Sequence, residues 1–118
     1  MRDTVALMVP AGYYLHAQRI RGWLYGNMQA VFDNVDALLM GAAPGPAPKG
    51  IHNNGDSVLL IPWSCLGYPA ITLNGGLSPP GLPLGLQFVG APKKDFALLQ
   101  LGSWCERVLG RLCPPSIS

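Results

Sequence analysis

Cleaving an acyl bond needs a nucleophile, a base close enough to take its proton, and donors for the oxyanion. The chain is poor in all three. Its serines, Ser57, Ser64, Ser78, Ser103, Ser116 and Ser118, stand in no G-x-S-x-G elbow and no Gly/Ser-rich loop, so each reads as a surface or turn hydroxyl. Lys49 follows a proline-rich stretch and Lys93-Lys94 precede the last predicted helix; solvated ammonium groups are the expectation there. Cys65 beside Ser64 has the apolar neighbours Ile61 and Leu66, which suit a buried thiol better than a reactive one. His16 and His52 have no second histidine or cysteine at ligand spacing, so no metal is expected. Asp33 and Asp36 read as capping or solvated acids and Asp56, after Gly55, as a turn residue. Gly81, Gly85 and Gly90 match neither a dinucleotide loop nor a P-loop. No catalytic residue is assigned to this chain.

The elements that would position these groups follow from periodicity. Ile20, Leu24, Met28, Val31 and Val35 recur at three- and four-residue steps, which predicts an amphipathic helix from Tyr13 to about Val35 packed on a sheet. Gly22 and Gly26 weaken it by roughly 1 kcal/mol each relative to alanine. Asp36 to Met40, closed by Gly41, reads as a buried strand. From Ala42 to Gly50 the prolines at 44, 46 and 48 lack backbone donors and impose an extended loop crossing the surface or skirting a cleft. Ile51 to Asp56 continues as polar loop, and Val58 to Trp63 fits either the start of a helix or a short strand. Pro69 ends that element. Ala70 to Leu73 and Leu84 to Val89 read as two strands of an antiparallel hairpin, with Asn74-Gly75 as the turn signal and an eight-to-ten-residue connection. Asp95 is placed to cap a final helix from Phe96 to about Leu109 with Leu98, Leu101, Cys105, Val108 and Leu112 inward, and Pro114-Pro115 stops it. The order helix, strand, loop, strand, strand, helix predicts an α/β or α+β piece of sheet with helices against it; the reading adopted is α/β, a mixed sheet piece flanked by helices.

Composition says what kind of molecule this is. The 118 residues suffice for one small domain, yet only 12% are charged while 49% are hydrophobic. An average soluble domain carries about 25% charged residues, so the apolar faces expect more chain to cover them. The 12 prolines and 15 glycines interrupt every apolar run before membrane-spanning length, which argues against a membrane partner. A net charge of +2, with only the short basic pairs Arg19/Arg21 and Lys93/Lys94, gives no nucleic-acid footprint. Three cysteines without a C-x-x-C pair suit a reducing cytoplasm. Met1-Arg2-Asp3 and the absence of a small-residue cleavage site do not fit a signal peptide.

Four motifs in series carry a family resemblance. Tyr14-Leu15-x-Ala17-Gln18-Arg19-Ile20-Arg21 is followed by Phe32-x-x-x-Asp36-Ala37-Leu38-Leu39 with the proline loop behind it. Gly55-Asp56 then leads to Pro62-Trp63-Ser64 and Gly67-Tyr68-Pro69-Ala70-Ile71. The run Gly81-Leu82-Pro83-Leu84-Gly85-Leu86-Gln87-x-Val89-Gly90 comes next, and Asp95, Leu98-Leu99 and Glu106 close the series. In this order they resemble the C-terminal part of amidase-signature enzymes over roughly residues 13–109. The resemblance implies an amidase-signature fold and a hydrolase or amidotransferase acting on carboxamide C–N bonds, through a serine nucleophile, a second serine in a cis peptide and a lysine base. The family's Gly/Ser-rich nucleophile segment lies N-terminal to the matched region, and no residue here takes its place. The implied organisation is a lead-in at 1–12, the C-terminal portion of the amidase domain at 13–112 and a frayed tail at 113–118.

The chain would then be catalytically silent alone. Its partner would be the remaining N-terminal part of the domain or another chain, with a small amide substrate, no cofactor, no nucleic acid and no membrane. The alternative is a non-catalytic interaction module pairing through its apolar face. If residues here line the substrate pocket, Asp56, Trp63 and Ser64 are the candidates, with Trp63 also suited to the core under the loop. The chain departs from the family pattern at Gly41 and Asn74, where proline is common, and at Leu60, where asparagine is common.

Overall fold

The computed structural model of the chain describes residues 9–79 and 81–110. Pro10 opens the first helix, α1 (Ala11–Gln29). Its carbonyl accepts the amides of Tyr13 and Tyr14 at 2.9 and 3.4 Å, and a 3₁₀ turn, Ala30–Asp33, continues α1. The helix is where periodicity places it, but it faces the sheet differently. Tyr25, Met28 and Phe32 turn inward, whereas Ile20, Leu24, Val31 and Val35 stay exposed. At 100° per residue the predicted stripe lies about a quarter turn from the packed face. Spacing fixes the period of an apolar stripe, not which neighbouring stripe meets the partner. Here the aromatic rings of Tyr25 and Phe32 reach Tyr68, with ring centroids at 5.4 and 5.6 Å.

Strand β1 (Ala37–Gly41) leads through the proline loop to the short helix α2 (Ile61–Leu66), so the 58–63 run is a turn over 58–60 that starts a helix, not a strand. Pro62 sits in its first turn, where a missing N–H costs nothing. Gly67, at φ 76°, closes it in the left-handed geometry that glycine adopts without strain. Strands β2 (Ala70–Leu77) and β3 (Pro83–Gly90) follow. The sheet order is β1-β3-β2, and both pairings are antiparallel, with Leu38 and Ala70 opposite Val89, and Leu39 and Ile71 opposite Phe88. No parallel pair of a mixed sheet lies among the described residues.

Asn74-Gly75 does not turn the chain. β2 runs through it with a bulge: Asn74 pairs with Gly85 and Gly76 with Leu84, which leaves Gly75 as the extra residue. The Asn74 Oδ1 accepts the Gly76 amide at 3.1 Å, so the local side-chain bond that favours a turn is made inside the ladder instead. A Cβ at Gly75 would stand 2.6 Å from Leu86 Cγ. The reversal comes at 78–82, shorter than the connection expected from sequence. Ser78 N–H donates to the Leu82 carbonyl at 2.8 Å, Gly81 N–H to the Ser78 carbonyl at 2.7 Å, and Leu82 N–H to Ser78 Oγ at 3.1 Å.

The last helix, α3 (Asp95–Leu109), takes Lys94 as its N-cap and has no side-chain cap. Asp95 is therefore the first helical residue and not the cap; its charge still favours the positive end of the helix dipole. Leu98, Gly102 and Cys105 form its buried stripe. Val108 of the predicted stripe is exposed and Leu112 lies outside the described residues.

Alternation along β3 divides the core into two halves. Val89 packs with Leu66 and Tyr68 under α1 and α2. Phe88 packs with Leu98 and Cys105 under α3. No helix among the described residues is long and apolar enough to cross a membrane.

Candidate functional site

At the hairpin end of the sheet the chain builds an open cleft of about 1430 Å³. Two loops and the ends of β2 and β3 line it. The proline loop is drawn in at its start, where the Ala42 amide donates to the Gly85 carbonyl at 2.9 Å. This approach requires glycine at 85: a Cβ there would lie 2.8 Å from both Ala42 Cβ and Thr72 Cγ2.

The second loop is shaped by its own side chains. Asn53 Oδ1 accepts the Gly55 amide at 2.9 Å, and Asp56 Oδ1 accepts the Val58 amide at 2.9 Å, the Asx-turn bond this residue type favours. The Ser57 carbonyl then takes the amides of Leu60 and Ile61 at 2.9 and 3.0 Å, leading into α2. From the sheet below, Gln87, 1% exposed, donates from Nε2 to the Leu59 carbonyl at 3.1 Å.

Of the three candidates read from sequence, the structure brings Asp56 to the cleft, exposed and among the lining residues. Trp63 is not among them. It is half-buried against Tyr68 at 6.2 Å, with its indole Nε1 donating to Met40 Sδ at 3.3 Å, as a core residue under the loop. Ser64 is exposed on α2, also outside the lining. Leu60 does line the cleft, so an aliphatic side chain stands on the wall where the family commonly has asparagine.

His52 and Asn53 also line the cleft. Sequence reasoning did not place either there, because neither has a partner nearby in the chain. Among the described residues no three His, Cys, Asp or Glu gather into a group able to hold a metal. Cys65 is exposed, against its reading as a buried thiol, while Cys105 is buried; both are free. α2 is one turn and a half long and presents its 65 position outward, a phase that its apolar neighbours do not reveal. Burial, and secondarily the neighbouring Tyr25, raises the pKa of Tyr68 above the ordinary tyrosine value.

The family model for amidase matches residues 2–99. The chain belongs to the amidase family. Among curated relatives, this amidase chain is 36% identical over 112 residues to the glutamyl-tRNA(Gln) amidotransferase A-subunit of Zymomonas mobilis, covering 87% of this chain and 22% of the relative. It is 36% identical over 110 residues to its counterpart in Xanthobacter autotrophicus, covering 84% and 22%. A solved structure described as a crystal structure of amidase superposes at TM-score 0.79 with 33% identity, over 91% of this chain and 27% of that one. A 6-aminohexanoate cyclic dimer hydrolase superposes at TM-score 0.59 with 21% identity, over 77% and 23%, a likeness of fold alone. The chain thus spans about a fifth of the length of the curated relatives it matches. The expected amidase-signature fold is the one found.

Proposed function

We propose that this chain is the C-terminal portion of an amidase-signature enzyme that cleaves carboxamide C–N bonds through a serine, cis-serine and lysine acyl-enzyme mechanism. The chemistry is supplied by residues outside the chain. What the chain supplies is one wall of the cleft, with Asp56 as its substrate-facing carboxylate, and it acts in a reducing cytoplasm together with the rest of the domain, joined to it or as a separate chain.

The observation that carries this reading is unfinished surface. Among the described residues 21 large hydrophobic side chains are exposed against six hydrophobic ones that are buried. Trp23, Phe96 and Trp104 are 67%, 73% and 56% exposed, the residue types a larger core would cover. A cleft wider than the roughly 300–1,000 Å³ of an ordinary ligand pocket also fits a trough that further chain narrows.

Coexpression tests the reading. The part of the Zymomonas mobilis relative that this chain does not match, produced together with this chain, should form a complex that hydrolyses simple carboxamides, with neither piece active alone. The isolated chain should not be labelled by serine-directed phosphonate or acylating probes. A labelled serine in the isolated chain would sink the silent-wall reading. Complex formation without hydrolysis would favour the other use of the same surface, a non-catalytic module that pairs with another chain.

A further inference from the structure

We infer that Gln87 is a positioning residue for the cleft. It holds the 56–60 wall in place through the Leu59 carbonyl, and this role rests on the reading of that wall as substrate-facing. Gln87 lies in the middle of the central strand, between Met40 on β1 and Thr72 on β2. Nothing in strand chemistry calls for an amide there. Its neighbours along β3 are Leu86, Phe88 and Val89, and among the described residues only Ser78 is also polar and buried.

A buried amide is retained where it makes a bond that an apolar residue of the same size cannot. Gln87 makes such a bond, upward from the sheet to a carbonyl 28 positions away. Its acceptor sits between a turn and a residue that do other work. On one side the Asp56 and Ser57 turn lines the cleft, and on the other Leu60 both lines it and begins the hydrogen-bonded entry to α2. The proline loop has its own tie to β3, through Ala42 and Gly85, whereas Gln87 gives the 56–60 segment its one side-chain anchor to the sheet among the described residues.

The test is hydrogen exchange of the full chain, read at the amides of Leu60 and Ile61. In Gln87→Met, of similar length but without a donor, protection at those two amides should fall by about tenfold, the factor for one lost bond and a stranded carbonyl, while β1, β3 and α3 keep theirs. Gln87→Glu supplies the control that packing alone would not move. A protonated carboxyl can donate to the Leu59 carbonyl and a carboxylate cannot, so protection in this variant should match the parent at low pH. It should be lost as the introduced group ionises, above the ordinary glutamate range because of burial.

Unchanged protection in Gln87→Met, loss spread evenly over the sheet in both variants, or a pH-independent Gln87→Glu would each overturn the inference. In the coexpressed enzyme, Gln87→Met should raise KM about fivefold at unchanged kcat; a fall in kcat alone would also overturn it. The exchange result does not depend on activity, so an inactive complex would count against the proposed function and leave the Gln87 anchor to be decided separately.

Discussion

Tyr68 joins three elements through one side chain. Its ring packs on Tyr25, Phe32 and Trp63, and its hydroxyl donates to the Tyr25 carbonyl near the end of α1 at 2.9 Å. Tyr68→Phe keeps the ring and removes the donor, so it should destabilise the chain by about 1 kcal/mol, read as a lower urea midpoint at pH 7. The pH dependence has a definite sign. The folded pKa of Tyr68 is raised, by burial first and Tyr25 second, so the unfolded phenol ionises first, near pH 10. The stability tied to its neutral form is therefore complete below that pH and lost as pH rises through the folded value. Between pH 9 and 11 the parent should lose more stability than Tyr68→Phe. Parallel losses would show that the phenol is not the group responsible.

At the scale of elements, the cleft depends on how closely loops can approach strands. The proline loop leaves β1 and is at once bonded to β3 through Ala42 and Gly85, and the absent side chain at 85 is what allows the approach. Gly85→Ala would push against the Cβ of Ala42 and the Cγ2 of Thr72, two short groups with no room to swing away. It should cost about 1–3 kcal/mol as overpacking and shift the melting temperature downward, with the Ala42 amide losing exchange protection. Unaltered stability would mean the loop yields without strain. The same closeness explains the bulge at Gly75. A sequence that spells a turn is drawn into the ladder because β3 offers it partners on either side, and the reversal moves to Ser78 and Gly81, where hydroxyl and glycine complete a tighter one.

For the whole molecule, the two half-cores under α1/α2 and under α3 are thin. Among the described residues six apolar side chains are buried, Leu66, Tyr68, Phe88, Val89, Leu98 and Cys105. Both outer strands, β1 and β2, have an unpaired edge within this sheet, and such edges template association. The isolated chain should therefore associate with rising concentration, seen as mass above 12.6 kDa in light scattering, and should bind apolar dyes. Coexpression with the complementary segment should suppress both. A chain that stays monodisperse at 12.6 kDa as concentration rises and binds no apolar dye would contradict the account of an unfinished surface.

The sequence by itself determined the family and most of the element order. Amidase motifs, proline placement and glycine stops are local properties, and local chemistry decides where a helix or strand can exist. The sequence's sparse charge, 12% against 49% hydrophobic residues, is the compositional ground for the proposal that its apolar faces are covered by more chain. Only the tertiary structure decided which stripe of α1 meets the sheet, that Asn74-Gly75 bulges instead of turning, and that Asp95 begins α3 without capping it. It also separated Asp56, on the cleft, from Trp63 under the loop and Ser64 on the outer face of α2. Those outcomes turn on contacts between residues far apart in the chain: Tyr25 and Phe32 with Tyr68, Gly75 with Leu86, Gln87 with Leu59. Periodicity and turn propensity supply the choices, and the free energy of burying a particular ring or satisfying a particular carbonyl selects among them.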